Sequence, residues 1–135
     1  MALEAFSGAV MNLETYLKKY HDTNFVWGQA DCVLFTAGWI KEATGQDPLA
    51  GIPKWTSKMQ ALRLLVRMGG LELAVIRALG PRRSSGFADG DVAYMQDPIH
   101  CMGIVVGANV AVLATSGLDA LSIQDAKHIW SIKHV

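Results

Sequence analysis

The sequence predicts one α+β domain, with N-terminal helices packed on a C-terminal antiparallel sheet. The chain has 135 residues, of which 51% are hydrophobic, so it is long and apolar enough to form a core of its own. Apolar residues recur at helical spacing as far as Gly80, and short apolar runs between glycine-containing turns follow. Because the helices precede the strands, this order favours an α+β fold over βαβ units, and residues 1–135 are treated as a single domain.

Helices are predicted from capping and termination signals. Asn12 and Ser57 are good N-cap residues, Gly45 is a natural C-cap, and Gly80-Pro81 stops the last helix. The predicted helices span residues 13–20, 32–44, 57–68 and 71–79. The loop after the second helix is followed by Trp55, which we expect to anchor it.

The C-terminal part predicts an antiparallel meander. The predicted strands span residues 91–95, 100–106, 110–115, 118–123 and 129–135. Residues 107–109 (Gly-Ala-Asn) are typical of a hairpin turn between the second and third strands. Since side chains alternate between the faces of a strand, His100 and Gly103 are expected on opposite faces.

Composition and charge exclude several classes of function. Basic and acidic residues both number 12, so the net charge gives no indication of nucleic acid or an acidic membrane as a partner. The N-terminus lacks the basic and apolar regions of a secretory signal, and residues 101–114 are too few and too rich in glycine to span a membrane. Two cysteines without CxxC, HExxH or a phosphate loop predict no metal site, no cofactor and no disulfide scaffold.

The pair Asp31-Cys32 carries the clearest chemical signal. Cys32 opens a predicted helix, where free backbone N–H groups and the helix dipole stabilise negative charge. A thiol in that position is expected to have a lowered pKa and to be available as a nucleophile. A buried structural thiol is the alternative, because free cysteine is among the most buried residue types. Asp31 is expected to cap the helix, and its charge would favour the thiol over the thiolate.

The order of the motifs resembles that of the NlpC/P60 cell-wall peptidases, which are compact papain-like cysteine hydrolases. The resemblance lies in Phe-Val-Trp-Gly at residues 25–28, Asp31-Cys32 at a helix start, Gly90-Asp91 before a strand, and a histidine ahead of Gly103-Ile104. More narrowly, the chain is similar to a small branch encoded in phage and prophage tail modules. That branch shares Trp27-Gly28, Asp31-Cys32, residues 44–48 (Thr-Gly-Gln-Asp-Pro), Gly90-Asp91 and a closing Trp130. The resemblance runs from about Phe25 to Trp130.

The resemblance implies a catalytic pair and a substrate cleft. Cys32 matches the nucleophile of the family, and His100 is the nearest match to its general base. A polar residue on the next strand would orient that histidine. Trp27, Asp31 and Cys101 are expected in the cleft. The remaining histidines, His21, His128 and His134, are expected at the surface, with His128 as a minor alternative for the base.

Two departures from the family pattern leave catalysis open. The histidine of the family stands two residues before the glycine, whereas Cys101 occupies that position here and His100 comes one residue earlier. A bulge near Pro98 would re-aim His100. The strand that should carry the orienting residue is apolar at residues 110–114. Cys101 is expected either in the core or facing Cys32 as a redox partner, which requires Cα atoms within about 7 Å.

Two functions therefore remain. The first is a phage tail-tip or baseplate protein that cleaves peptidoglycan during cell-wall penetration, with Cys32 attacking an amide carbonyl and His100 moving the proton. The second is a catalytically degenerate tail-hub subunit or tail-assembly factor. Expected partners are other phage tail proteins and, for the hydrolase, peptidoglycan, with neither nucleic acid nor membrane insertion. The expected location is the virion tail, after synthesis in the bacterial cytoplasm without a signal peptide.

Overall fold

The computed structural model describes residues 12–80, 86–97 and 100–132. In this part of the chain, four α-helices precede a five-stranded antiparallel sheet, so the predicted α+β class is confirmed. The helices are α1 (Leu13–Lys19), α2 (Cys32–Thr44), α3 (Lys58–Arg67) and α4 (Leu71–Leu79). The strands are β1 (Val92–Met95), β2 (Cys101–Val106), β3 (Asn109–Ala114), β4 (Gly117–Ser122) and β5 (Ala126–Trp130). None of the described helices is both long and apolar enough to cross a membrane.

Side-chain caps fix the starts of the first three helices. Asn12, Asp31 and Ser57 each accept a hydrogen bond from the backbone N–H three residues later, at 2.8, 2.9 and 3.1 Å. Helix α2 ends at Gly45, whose φ of 80° lies in the left-handed region that glycine adopts without strain. The predicted helix spans agree with the structure to within one residue at each end.

The strands are arranged in the order β4-β3-β2-β1-β5, with antiparallel neighbours throughout. Strands β1 to β4 form the predicted meander, and residues 107–108 make the hairpin turn between β2 and β3. Strand β5 crosses to the other edge and pairs with β1, which places Trp130 opposite Val92. It also begins and ends earlier than the predicted strand 129–135, of which residues 133–135 lie outside the described residues.

Both faces of the sheet are apolar. On one face, called here the helix side, Tyr94 and Met102 belong to a cluster that includes Phe35 of α2. On the other, called here the far side, Cys101 belongs to a second cluster with Met95. Successive residues of β2 therefore enter different clusters, because side chains alternate along a strand. This alternation decides which β2 residues reach the candidate site.

Candidate functional site

An apolar groove of about 810 Å³ lies between helices α2, α3 and α4 and the start of β2. Its lining includes Trp27, Asp31, Cys32, His100 and Met102, and most of the remaining wall consists of leucine, isoleucine, valine, methionine and alanine. This volume is within the usual range of ligand pockets, about 300–1,000 Å³. The structure thus brings four of the five predicted site residues to one groove, whereas Cys101 is not part of its lining.

Asp31 fastens the start of α2 to the neighbouring loops. The carboxylate is buried and accepts hydrogen bonds from the N–H groups of Gly28 at 3.0 Å and Leu34 at 2.9 Å, and from the indole N–H of Trp55 at 2.7 Å. Gly28 has a φ of 80°, and a Cβ there would lie 2.0 Å from the carbonyl oxygen of Trp55, so only glycine fits. The predicted capping role of Asp31 and the anchoring role of Trp55 are confirmed.

The Cys32 thiol lies at the first turn of α2 in an environment that favours its neutral form. Burial raises its pKa and is the largest influence, and the Asp31 carboxylate raises it further. The backbone N–H of Met102 and those of Cys32 and Val33 lower it, but they do not offset the burial. The expectation of a lowered pKa is therefore wrong, because burial in the apolar groove destabilises the thiolate by more than the helix start stabilises it.

His100 stands at the rim of the groove and is exposed. Its Nδ1 shares a hydrogen bond with the hydroxyl of Tyr94, a residue of the helix side of the sheet. Gly103 pairs with Ala93 of the far side, so His100 and Gly103 lie on opposite sides as predicted. Among the described residues His100 and Cys32 form no hydrogen bond with each other. The predicted bulge near Pro98 falls outside the described residues.

Cys101 is buried in the far-side cluster, against which Cys32 packs from the start of α2. Burial, with a smaller contribution from the charge of Cys32, raises the pKa of the Cys101 thiol to about 12. Both cysteines are free thiols. Cys101, which stands two residues before Gly103, is therefore a buried, neutral thiol near Cys32 that cannot act as a general base at neutral pH.

A polar cluster that the sequence did not predict lies beside His100. The His128 ring stacks on Tyr94 with centroids 6.0 Å apart, and its Nε2 lies 2.7 Å from Oε2 of Glu72. Glu72 also pairs with Lys127 at 2.9 Å, and these two partners lower the pKa of its carboxyl. The surface position predicted for His128 is wrong, since its side chain is only 13% exposed. The pairing of β5 with β1 brings His128 to Tyr94, and no local signal in the sequence marks that pairing.

The groove presents an apolar surface beside Cys32, and among the described residues no base forms a hydrogen bond with the thiol. Hydrolysis by a cysteine nucleophile requires a base within hydrogen-bond reach of the thiol. Potential metal ligands do not gather in groups of three or more anywhere in the residues the structure describes. Binding in the groove is therefore better supported by this geometry than proton transfer.

Fold and site define an α+β domain with a large apolar groove and a half-buried thiol at the start of its second helix. The chain belongs to the family described as a domain of unknown function, DUF6950, which it matches over residues 8–132. This match covers both the helices and the sheet. A comparison with curated proteins finds no match.

Proposed function

We propose that this protein is a non-hydrolytic subunit of a phage or prophage tail, in which a papain-like, NlpC/P60-like fold provides a binding groove in place of a catalytic cleft. The tail assignment rests on the sequence resemblance between Phe25 and Trp130. The fold assignment rests on the same resemblance, together with a cysteine that opens a helix ahead of an antiparallel sheet. Binding in the groove replaces cleavage as the role of the Cys32 site.

One observation carries the loss of hydrolysis: the thiol of Cys32 and the imidazole of His100 do not form a pair. Tyr94 holds His100 through Nδ1, and Cys101 occupies the neighbouring position of β2 on the far side. The raised pKa of Cys32 adds to this, because a neutral thiol without a base is a poor nucleophile.

The test is an assay of peptidoglycan breakdown combined with analysis of purified tails. The protein should release no soluble fragments from peptidoglycan, and mass spectrometry should find it in purified particles at a fixed ratio to the other tail proteins. Release that Cys32→Ala abolishes would overturn the non-hydrolytic proposal. Absence from the particles would overturn the tail-subunit proposal and favour an assembly factor.

A peptidoglycan hydrolase is the second candidate, and one observation favours it. Cys32 and His100 line the same groove, and backbone N–H groups of Cys32, Val33 and Met102 surround the sulfur, where they could stabilise an oxyanion. In this candidate, Nε2 of His100, which Tyr94 does not bond, would have to come within hydrogen-bond reach of the thiol to take its proton.

Thiol alkylation tests this candidate directly. If His100 activates Cys32, iodoacetamide should modify Cys32 faster in the wild type than in His100→Ala at neutral pH, because the thiolate is the reactive form. Equal rates in the two proteins would rule out activation by His100. Cys32→Ala, which keeps Cys101, is the control for the position of alkylation.

A further inference from the structure

Helix α3 leaves three of its large apolar side chains exposed. Met59, Leu62 and Val66 are 58%, 44% and 79% exposed, and their spacing of three and four residues places them on one stripe of the helix. We call this stripe the outer α3 face. Large apolar side chains that are exposed together on one stripe are typical of an interaction site.

The outer α3 face is continuous with the groove. The opposite half of α3 directs Ala61 and Leu65 into the groove, and Leu62 and Val66 form part of its edge. An occupant could therefore place apolar side chains in the groove and cover the exposed stripe at the same time. A helix in a groove, with apolar residues along one side, is the recurring mode of recognition that fits this shape.

The charged residues of the segment that carries α3 have one sign, although the Asp31 carboxylate lines the groove itself. No aspartate or glutamate occurs between Asp47 and Glu72. The basic residues of that segment, all exposed, are Lys54, Lys58, Arg63 and Arg67. Among the described residues none of the four forms an ion pair. In a chain with no net charge, this segment is a local basic surface that would attract an acidic partner.

We propose that the outer α3 face and the groove bind an amphipathic helix of another protein, with apolar residues on one side and acidic residues flanking them. The apolar residues would enter the groove and cover Leu62 and Val66, and the carboxylates would lie against Arg63 and Arg67. Arginine pairs with carboxylates in a bidentate geometry, which adds specificity for orientation. This inference rests on the groove being a binding site, and it adds the class of partner.

The charge pattern disfavours a second copy of this chain on the same face. An isologous contact would bring Arg63 and Arg67 of one copy against the same residues of the other, and like charges at an interface are costly. An anionic membrane would attract the basic residues but is too flat to fill a concave groove of about 810 Å³. An acidic helix satisfies both the shape and the charge.

The experiment measures binding of a synthetic helical peptide to the purified full chain by fluorescence anisotropy. The probe is a fluorescein-labelled peptide with leucines along one face and glutamates beside them, and a scrambled peptide of the same composition is its control. Binding should weaken by about tenfold or more in Arg63→Glu/Arg67→Glu and in Val66→Ser, and it should also weaken as salt is added. Lys41→Glu reverses one charge and Phe87→Ser replaces one apolar side chain at exposed residues outside the groove, and both should bind like the wild type.

Equal affinity for the leucine-faced and scrambled peptides, or unchanged binding by the α3 variants, would overturn the proposal. So would stronger binding to vesicles containing phosphatidylglycerol than to the peptide, or occupation of the face by a second copy in sedimentation. Circular dichroism of each variant confirms that it is folded. This outcome is independent of the tail assignment. If the chain binds the peptide but is absent from particles, only the tail role is refuted. If the chain is present in particles but does not bind the peptide, only the proposed α3 surface is refuted.

Discussion

Strands β2 and β3 and helix α3 use the same kinds of apolar residue in opposite ways. Leu113 of β3 is fully buried, whereas Leu62 of α3 is 44% exposed. Val105 of β2 is also fully buried, and Val66 of α3 is the most exposed of the large apolar residues in the described chain. Apolar surface in the sheet therefore contributes to folding, and that of α3 is left available for contact with another molecule.

The largest difference between the two regions should appear when the same leucine-to-alanine change is made in each. Leu113→Ala should lower the free energy of unfolding by about 2–5 kcal/mol, because it leaves a cavity in a packed core. Leu62→Ala should lower it by less than about 1 kcal/mol, since part of that side chain is already in water. Urea denaturation followed by circular dichroism measures both. Similar losses in the two variants would mean that α3 is as much a part of the folding core as the sheet.

Asp31 links α2, which packs on the sheet, to the Trp55 segment that leads into α3. Asp31→Ala should cost about 2–4 kcal/mol, since it leaves two backbone N–H groups and the Trp55 indole N–H without their acceptor in a buried place. Thermal unfolding followed by tryptophan fluorescence measures the loss.

Asp47→Ala is the matched control for Asp31→Ala. Asp47 is exposed and accepts one hydrogen bond from the N–H of Leu49 at 2.9 Å. Its removal should cost less than about 1 kcal/mol, as expected for one solvent-exposed hydrogen bond. If both variants lose the same free energy of unfolding, the buried hydrogen bonds of Asp31 contribute no more to stability than the single exposed hydrogen bond of Asp47.

The sequence predicted the features of the fold that depend on residues close together in the chain. Asn12, Asp31, Gly45 and Ser57 mark helix ends through hydrogen bonds or backbone angles within a few residues, so the helix spans were predictable. The hairpin turn at residues 107–108 is equally local.

What the sequence did not predict depends on pairing over long distances. The contact of His128 with Tyr94 requires β5 to lie beside β1, and no residue in either strand specifies that neighbour. The pKa of Cys32 was predicted in the wrong direction, because the helix start is visible in the sequence but the apolar groove around the thiol is not. Cys101 lies in the core, one of the two positions expected for it, on the side of the sheet opposite to Met102.

Alkaline pH should weaken the sheet core through the Cys101 thiol. The pKa of Cys101 rises from its ordinary value of 9.0 to about 12 in the folded protein, so the thiol stabilises the fold fully below pH 9 and this contribution is lost as the pH rises towards 12. At pH 10.5 the loss should be about 2 kcal/mol. Urea denaturation at pH 7.5 and 10.5 should show a smaller loss in Cys101→Ala than in the wild type. Equal losses would place the titrating groups elsewhere.

The smallest effect on stability is expected from the hydrogen bond between His100, at the rim of the groove, and Tyr94 of the sheet. Tyr94→Phe removes the hydroxyl that holds His100 and should cost about 0.5–1.5 kcal/mol, because the ring stays packed and only one hydrogen bond is lost. A double-mutant cycle with His100→Ala isolates that bond, since the second change should cost little once the hydroxyl is gone. Additive losses would mean that Tyr94 does not hold His100.

If the bond is present, Tyr94→Phe frees the imidazole to turn towards Cys32. Faster alkylation of Cys32 in Tyr94→Phe than in the wild type would show that Tyr94 keeps His100 from acting as a base.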